Sequence, residues 1–305
     1  MASRMKASCC TVAMGGRAAR AESGTVAQAA AAQPHHRSPR LEIIPHSPIA
    51  APMARRYHEP MPDHAEYDDI AAEYAASKQL PFRTVVEAPT LFSLAGDVRG
   101  LTVLDLPCGD GTYSRALARR GAASVTGIDL SHAMVERAEA AERDAPLGIR
   151  YAVGDAAELP AIGAFDLILT SYLFNYARTR AELQAFARSV ARNLKPGGRL
   201  VGMNDNPRTA PDRFGSYATY GFSRTVEGPL RAGSRIRYDF PKADGTHFGF
   251  DNFWLAPATY EEVFAEAGLT GFRFVDAIAD PAAGGDWSDF LRDCPITGLE
   301  ARREA

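Results

Sequence analysis

Val103-Leu104-Asp105-Leu106-Pro107-Cys108-Gly109-Asp110-Gly111 is a short apolar run that ends in an acid and breaks at once into a glycine loop. A helical pattern, Thr112–Arg120, follows the loop and closes on basic residues and Gly121. Next comes a second apolar run, Ser124–Asp129, again ending in an acid. Strand, tight loop, helix and strand in that order are the unit with which an α/β protein grips a nucleoside-containing small molecule.

The alternation continues along the chain. Arg150–Val153, Phe165–Ser171 and Arg199–Asn204 read as strands, and His132–Arg143 and Ala181–Leu194 as helices. Lys195-Pro196-Gly197-Gly198 stops the last helix. Upstream, Tyr67, Ile70, Ala71 and Tyr74 share a helical face, and Thr84–Leu94 reads as a second helix. The pattern changes after Asn204. Arg235–Phe240 and His247–Trp254 alternate with period two around a turn at Asp244-Gly245, which predicts a β-hairpin. A helix at Tyr260–Ala267, a strand at Phe272–Ile278, a short helix with Trp287 and Phe290, and a final edge strand at Ile296–Ala301 complete the reading. Such a series calls for an α/β fold: a Rossmann-like parallel sheet with helices on both faces. A helical cap over residues 61–98 and an insertion at 205–256 are added to it.

The loop chemistry narrows the ligand. Gly109 and Gly111 let the backbone approach a ligand without a Cβ clash. A dinucleotide loop reads GxGxxG and cradles a pyrophosphate. Here the stretch is Gly109-Asp110-Gly111-Thr112-Tyr113-Ser114, without the third glycine and with acids around it. Asp105 and Asp110 repel a pyrophosphate and suit a ligand bearing an ammonium and a sulfonium, as S-adenosylmethionine does. Asp129, 18 residues beyond Gly111, is placed to accept both ribose hydroxyls, or is simply a solvated strand-end acid. Asp155, in Gly154-Asp155-Ala156, is placed for the exocyclic amine of adenine, or is an Asp in a turn.

Composition bounds the rest. Of 305 residues, 34 are Lys or Arg and 37 are Asp or Glu. Residues 1–60 hold 8 basic and 3 acidic side chains, which leaves 26 basic and 34 acidic in the remainder. An acidic body argues against a nucleic-acid substrate. No apolar run approaches the ~20 residues needed to span a membrane. The four cysteines (Cys9, Cys10, Cys108 and Cys294) form no CxxC pair, no metal set is indicated, and a reducing cytoplasm is the expected location. The tail 1–60, rich in Ala, Arg, Ser, Pro and His, is expected to be disordered. Met53 or Met61 is an alternative start, and the Arg- and Ala-rich composition is also compatible with a transit peptide.

The ordered motifs resemble those of the class I S-adenosylmethionine-dependent methyltransferases. Asp105–Gly111 matches motif I, Asp129 motif II and Asp155 the adenine position. Phe165–Asn175 is similar to motif IV, and Leu194-Lys195-Pro196-Gly197-Gly198 to the turn before the fifth strand. Pro107 stands where the family usually has glycine. The segment Tyr67-Asp68-Asp69-Ile70-Ala71 through Tyr74, Ser77 and Lys78, with Phe174-Asn175-Tyr176-Ala177, is similar to toxoflavin-type N-methyltransferases of secondary metabolism. Teleocidin-type C-methyltransferases are related in pattern.

The resemblance implies S-adenosylmethionine as cofactor, held by Asp105, Pro107, Cys108, Gly109, Gly111, Asp129, Leu130, Gly154, Asp155, Ala156, Ser171 and Tyr172. It also implies that Tyr67, Tyr74 and Lys78 lie near the cofactor carboxylate or the substrate, although the tyrosines are equally placed to pack the cap.

For the acceptor, Phe174, Asn175, Tyr176, Tyr217, Tyr220, Phe222, Asn252 and Trp254 are candidate walls of a pocket for a flat small molecule. They also suit sealing of the hairpin against the sheet or against a second subunit, so a homodimer is possible. No catalytic base declares itself; His247 on the hairpin is a weak candidate. Methyl transfer needs alignment and desolvation above all. N-methylation of a heteroaromatic is therefore the expected chemistry, and C-methylation of an indole alkaloid or prenyl-type acceptor the alternative. From other classes come a non-catalytic binding protein of the same fold and an NAD(P)-linked oxidoreductase.

Overall fold

A computed structural model describes residues 72–214, 217–242 and 244–305. The expected tail 1–60 and Tyr67 lie outside the described residues. The five strands of the alternating region are β1 (Thr102–Asp105), β2 (Ser124–Asp129), β3 (Arg150–Val153), β4 (Phe165–Ser171) and β5 (Leu194–Asp205). Three more, β6 (Ser223–Val226), β7 (Ser234–Pro241) and β8 (His247–Trp254), form a separate antiparallel sheet. The last two are β9 (Leu269–Val275) and β10 (Ile296–Arg303). The main sheet has seven strands in the order β3-β2-β1-β4-β5-β10-β9. Its first five strands run parallel; β10 runs antiparallel to both β5 and β9.

Helices cover both faces because the strands are apolar on both. Val103, Leu167, Leu169, Val201 and Met203 point to one core, and Leu104, Leu106, Ile168, Leu200 and Leu299 to the other. On the first side lie α1 (Ala88–Ala95), α2 (Thr112–Arg119), α3 (His132–Asp144) and the inner face of the small sheet. On the second lie α4 (Arg180–Asn193) and α5 (Pro257–Glu266), which bury Leu183, Phe186, Val190, Tyr260, Val263 and Phe264. A short α6 (Ser288–Arg292) buries Phe290 against Tyr217 and Tyr220. Thr179 caps α4 by accepting the Glu182 N–H at 3.2 Å, and Glu182 accepts the Arg178 N–H at 2.8 Å.

Two sequence expectations change. Ile296–Ala301 is not an edge strand: β10 is paired on both sides, and β9 is the edge. The 235–254 hairpin is present, but β6 extends it to three strands. In β6, Arg224 occupies the inward position opposite Tyr238, a buried charge beside the apolar inward residues of β7 and β8. The Lys195–Gly198 turn is absorbed into β5 as an irregularity, with Phe165 opposite Leu194 and Leu167 already opposite Arg199.

The chain before α1 forms the cap. A helix over 72–77 leads through a turn into a π-helical segment, Arg83–Glu87, continuous with α1. This segment places Glu87 in the interior, where none of its surface is exposed.

Candidate active site

A cavity with about 1030 Å³ of empty space, its mouth included, opens at the carboxyl ends of β1, β2 and β4. Strand order reverses between β1 and β4, and open α/β sheets bind their ligands at that crevice. The loop from Leu106 to Asp110, the ends of β2 and β3, the cap and the Ser171–Tyr176 turn supply its walls.

The glycine loop is tied down by its own backbone. The Cys108 N–H donates to the Ile128 carbonyl (2.9 Å), and Gly109 N–H to Asp129 Oδ2 (2.7 Å). Gly111 N–H donates to the Cys108 carbonyl (3.0 Å), and Thr112 N–H to Asp110 Oδ1 (3.1 Å). A pyrophosphate cradle needs such N–H groups free to face the ligand; here they are already used. Gly111 has φ +79°, and a Cβ there would lie 2.5 Å from the Tyr151 hydroxyl, so both conformation and space require glycine.

Asp129 accepts from Gly109 through Oδ2 and from the Ser131 N–H through Oδ1 (3.0 Å). Each carboxylate oxygen has two lone pairs, so both keep capacity for a second donor. That fits a ribose diol. Burial pushes the Asp129 carboxyl up, against the hydrogen bonds from Ser131 and Gly109. Asp155 anchors its turn by accepting the Ala157 N–H at 2.7 Å, and it lines the cavity with Gly154 and Ala156.

Beneath the cavity lies a buried network absent from the sequence reading. Glu87 accepts from Tyr113 Oη (2.5 Å), Tyr172 Oη (2.7 Å) and Arg83 Nη1 (2.8 Å). Lys78 Nζ stands 3.8 Å from the same carboxylate and faces the rings of Tyr74 and Tyr113. Despite the desolvation that opposes it, the charges of Arg83 and Lys78 and the two phenol hydrogen bonds hold the Glu87 carboxyl below its ordinary range. Arg83 neutralises Glu87, which leaves the Lys78 ammonium as a net positive charge on the wall, suited to a cofactor carboxylate. Tyr172 takes φ +65°, unusual for a non-glycine residue, and its hydroxyl is held by Glu87.

Of the residues expected to hold a cofactor, Tyr74, Lys78, Pro107, Cys108, Gly109, Asp129, Leu130, Gly154, Asp155, Ala156, Ser171 and Tyr172 line this one cavity. Asp105 and Gly111 lie just behind it; Asp105 Oδ2 accepts the Ser114 hydroxyl at 2.6 Å. Of the residues expected to hold the acceptor, Tyr176 lines the cavity and the others do not. Phe174 packs edge-on against Phe264 in the far core. Tyr217 stacks on Phe222, and Tyr217 and Tyr220 pack edge-on against Phe290. Trp254 donates to the Pro207 carbonyl. Asn175 and Asn252 bond each other at 3.0 Å. His247 is exposed near the hairpin turn and does not line the cavity. Asp110, Thr112, Tyr113, Ser131, Met134, Leu173 and Phe186 also contribute walls. Most lie within a few residues of the glycine loop or the acid Asp129, a proximity that could have signalled them.

Residues 103–198 match a family model described as a methyltransferase domain. The chain carries a class I methyltransferase domain. Its fold is similar to that of an S-adenosylmethionine-dependent methyltransferase from Mesorhizobium loti, at TM-score 0.52 and 24% identity. That likeness covers 71% of this chain and 97% of the Mesorhizobium one. A demethylmenaquinone methyltransferase of Lactococcus lactis is 29% identical over 59% of this chain and 69% of its own. A ubiquinone biosynthesis O-methyltransferase of Caulobacter vibrioides is 39% identical over 32% of this chain and 38% of its own. This chain spans about half the length of the curated relatives it matches. The methyltransferase domain is of the S-adenosylmethionine-dependent kind, and the loop, the Asp129 carboxylate and the Lys78 ammonium fit that cofactor. Among the described residues no group of three metal-ligating side chains occurs, and no helix is long and apolar enough to cross a membrane.

Proposed function

We propose that the protein transfers a methyl group from S-adenosylmethionine to a nitrogen of a small heteroaromatic secondary metabolite. The observation that carries this reading is the lining of the cavity. Acids and tied-down backbone form one end; Tyr74, Tyr172 and Tyr176 form aromatic walls toward the end of β4; no histidine is among the lining residues. A ring nitrogen attacks with its own lone pair and needs no base, so orientation and exclusion of water are what the walls must supply.

When bound, S-adenosylmethionine supplies an electrophilic methyl group on a sulfonium. Asp129 would hold the ribose hydroxyls, Asp155 the adenine amine, and Lys78 the amino-acid carboxylate. Tyr113 and Tyr172, fixed by Glu87, keep the wall beside the reacting centre rigid. We place the reaction in the cytoplasm, with the exposed side of the small sheet available to a second copy.

The names of the Lactococcus and Caulobacter relatives favour a second reading, methylation of a quinone-type acceptor rather than of a nitrogen heterocycle. A turnover assay with azaheterocycles, indoles and hydroquinones, read by mass spectrometry for a product heavier by CH₂, separates the two. N-methylated products are expected. Transfer only to ring carbon or phenol oxygen overturns the nitrogen assignment. Calorimetry with S-adenosylmethionine and with NADP tests the cofactor; binding of NADP alone would sink the methyl-transfer reading.

A further inference from the structure

Asp105 ends β1, and its side chain is sealed beneath the cofactor cavity, with none of its surface exposed. In the sheet register it stands opposite Gly127 of β2 and Leu169 of β4. Two residues further along those strands are Asp129 and Ser171, both cavity walls. Two residues of strand advance about 7 Å, and Leu106, next to Asp105 in the chain, is itself a wall residue. Asp105 therefore lies one layer below the floor of the cavity. It does not touch the cofactor, but the field of a charge in the cavity reaches it.

The groups that face this carboxyl leave it short of partners. From α2 the Ser114 hydroxyl donates to Oδ2 at 2.6 Å, and Oδ1 has no partner. From β2 comes the Asp129 carboxylate, from β3 the Tyr151 phenol and from the glycine loop the Cys108 thiol. Burial pushes the phenol and the thiol up, so both are neutral near pH 7. From β4 the apolar Leu169 stands opposite. The cation whose charge reaches Asp105 is Lys78 of the cap, which is shared with Glu87 at 3.8 Å. A wholly buried carboxyl with a single neutral donor favours its protonated form. Burial accordingly pushes the Asp105 carboxyl up to about 7.

The cofactor arrives and leaves with different charges. S-adenosylmethionine carries a sulfonium, an ammonium and a carboxylate. Methyl transfer breaks the S–CH₃ bond, the electron pair stays on sulfur, and the lone pair of the acceptor forms the new bond. S-adenosylhomocysteine, the product, has a neutral thioether, so the two forms differ by one positive charge. A unit charge about 10 Å away, at an effective dielectric of about 20, alters the proton affinity of a carboxyl roughly tenfold. We infer that Asp105 acts at a distance as a specificity-determining residue: it sheds its proton when the sulfonium form binds, keeps it when the thioether form binds, and so favours the methyl donor over its spent product as pH rises. The inference rests on the S-adenosylmethionine cofactor and on no particular acceptor.

The test is calorimetric titration of the full-length protein with each cofactor form, in phosphate and in imidazole buffers, whose ionisation heats differ. Near pH 6.5, S-adenosylmethionine is expected to release about half a proton more than S-adenosylhomocysteine on binding. The ratio of the two affinities is expected to shift roughly fourfold toward S-adenosylmethionine between about pH 5.5 and pH 7, below the range in which an α-amino group titrates. Asp105→Asn, a neutral side chain of the same shape, is expected to cancel the difference in proton release and to flatten the ratio. Equal proton release by the two forms in the unaltered protein would overturn the inference. So would a difference that survives in Asp105→Asn, which would assign the effect to Asp129. The comparison of the two forms uses the unaltered protein, so it decides even where the variant does not fold. Protein that binds neither form would overturn the cofactor and the inference with it, a result distinct from binding without a proton difference.

Discussion

Asp105 is wholly buried and receives one hydrogen bond, from Ser114, while its Oδ1 receives none. Desolvation pushes its carboxyl from the ordinary 3.8 up to about 7, with the Ser114 hydrogen bond and Lys78 opposing and Asp129 reinforcing the rise. Between those pH values the folded chain keeps a proton that the unfolded chain has lost. Ligand-free stability therefore falls as pH rises from about 4 to about 7. Asp105→Asn removes that dependence, and urea unfolding at pH 8 should find the variant more stable by about 2–4 kcal/mol. A second residue-scale outcome concerns Asp129, whose oxygens organise Gly109 and Ser131 and face the cavity. Asp129→Ala should weaken S-adenosylmethionine binding roughly 100-fold by calorimetry, from two lost charge-assisted hydrogen bonds; unchanged affinity would refute the ribose role.

At the scale of elements, the π-helical segment joins the cap to the sheet through one carboxylate. Glu87→Gln leaves Arg83 and Lys78 without a counter-charge and should lower stability by about 3–5 kcal/mol. In the parent protein this contribution is present above the ordinary glutamate range and is lost as pH falls through the depressed folded value. Acid unfolding monitored by circular dichroism should therefore begin at higher pH in the Gln variant, and an unchanged onset would show that the network does not contribute. The β4–β5 pair has its own constraint. A Cβ on Gly202 would lie 2.0 Å from Thr170 Oγ1 and 2.7 Å from the Thr170 carbonyl. Gly202→Ala must force the two central strands apart; loss of folded protein on expression is the expected outcome, with Gly202→Ala/Thr170→Ala no full rescue, because the carbonyl clash remains.

For the whole molecule, the parallel half was legible because period and punctuation agree in it: apolar strands end in Asp105 and Asp129, and helices close on Gly121 and Lys195–Gly198. The cofactor end of the site was legible for the same reason, since its residues sit at strand ends. The acceptor side was not. Tyr217, Tyr220 and Phe222 share the composition of a binding wall but are consumed in packing: Phe222 stacks on Tyr217, and Tyr217 and Tyr220 meet Phe290. Burial of an aromatic ring and its exposure to a ligand leave the same trace in a sequence. Glu87 was hidden as a lone charge in an apolar helix, and Arg224 as a lone charge in a strand of four residues. Strand order at β9 and β10 depends on antiparallel pairing across the sheet, which no local pattern encodes.

The interior position of β10 bears on how the chain is made. While a ribosome is still synthesising residues 296–303, β5 has one unpaired edge and β9 has no partner. An exposed edge of that kind invites pairing with another nascent chain. The sheet can be completed only once β10 is available to lie between β5 and β9. A chain truncated before Ile296 is therefore expected to aggregate, whereas a released chain that includes Ile296–Arg303 can complete the sheet.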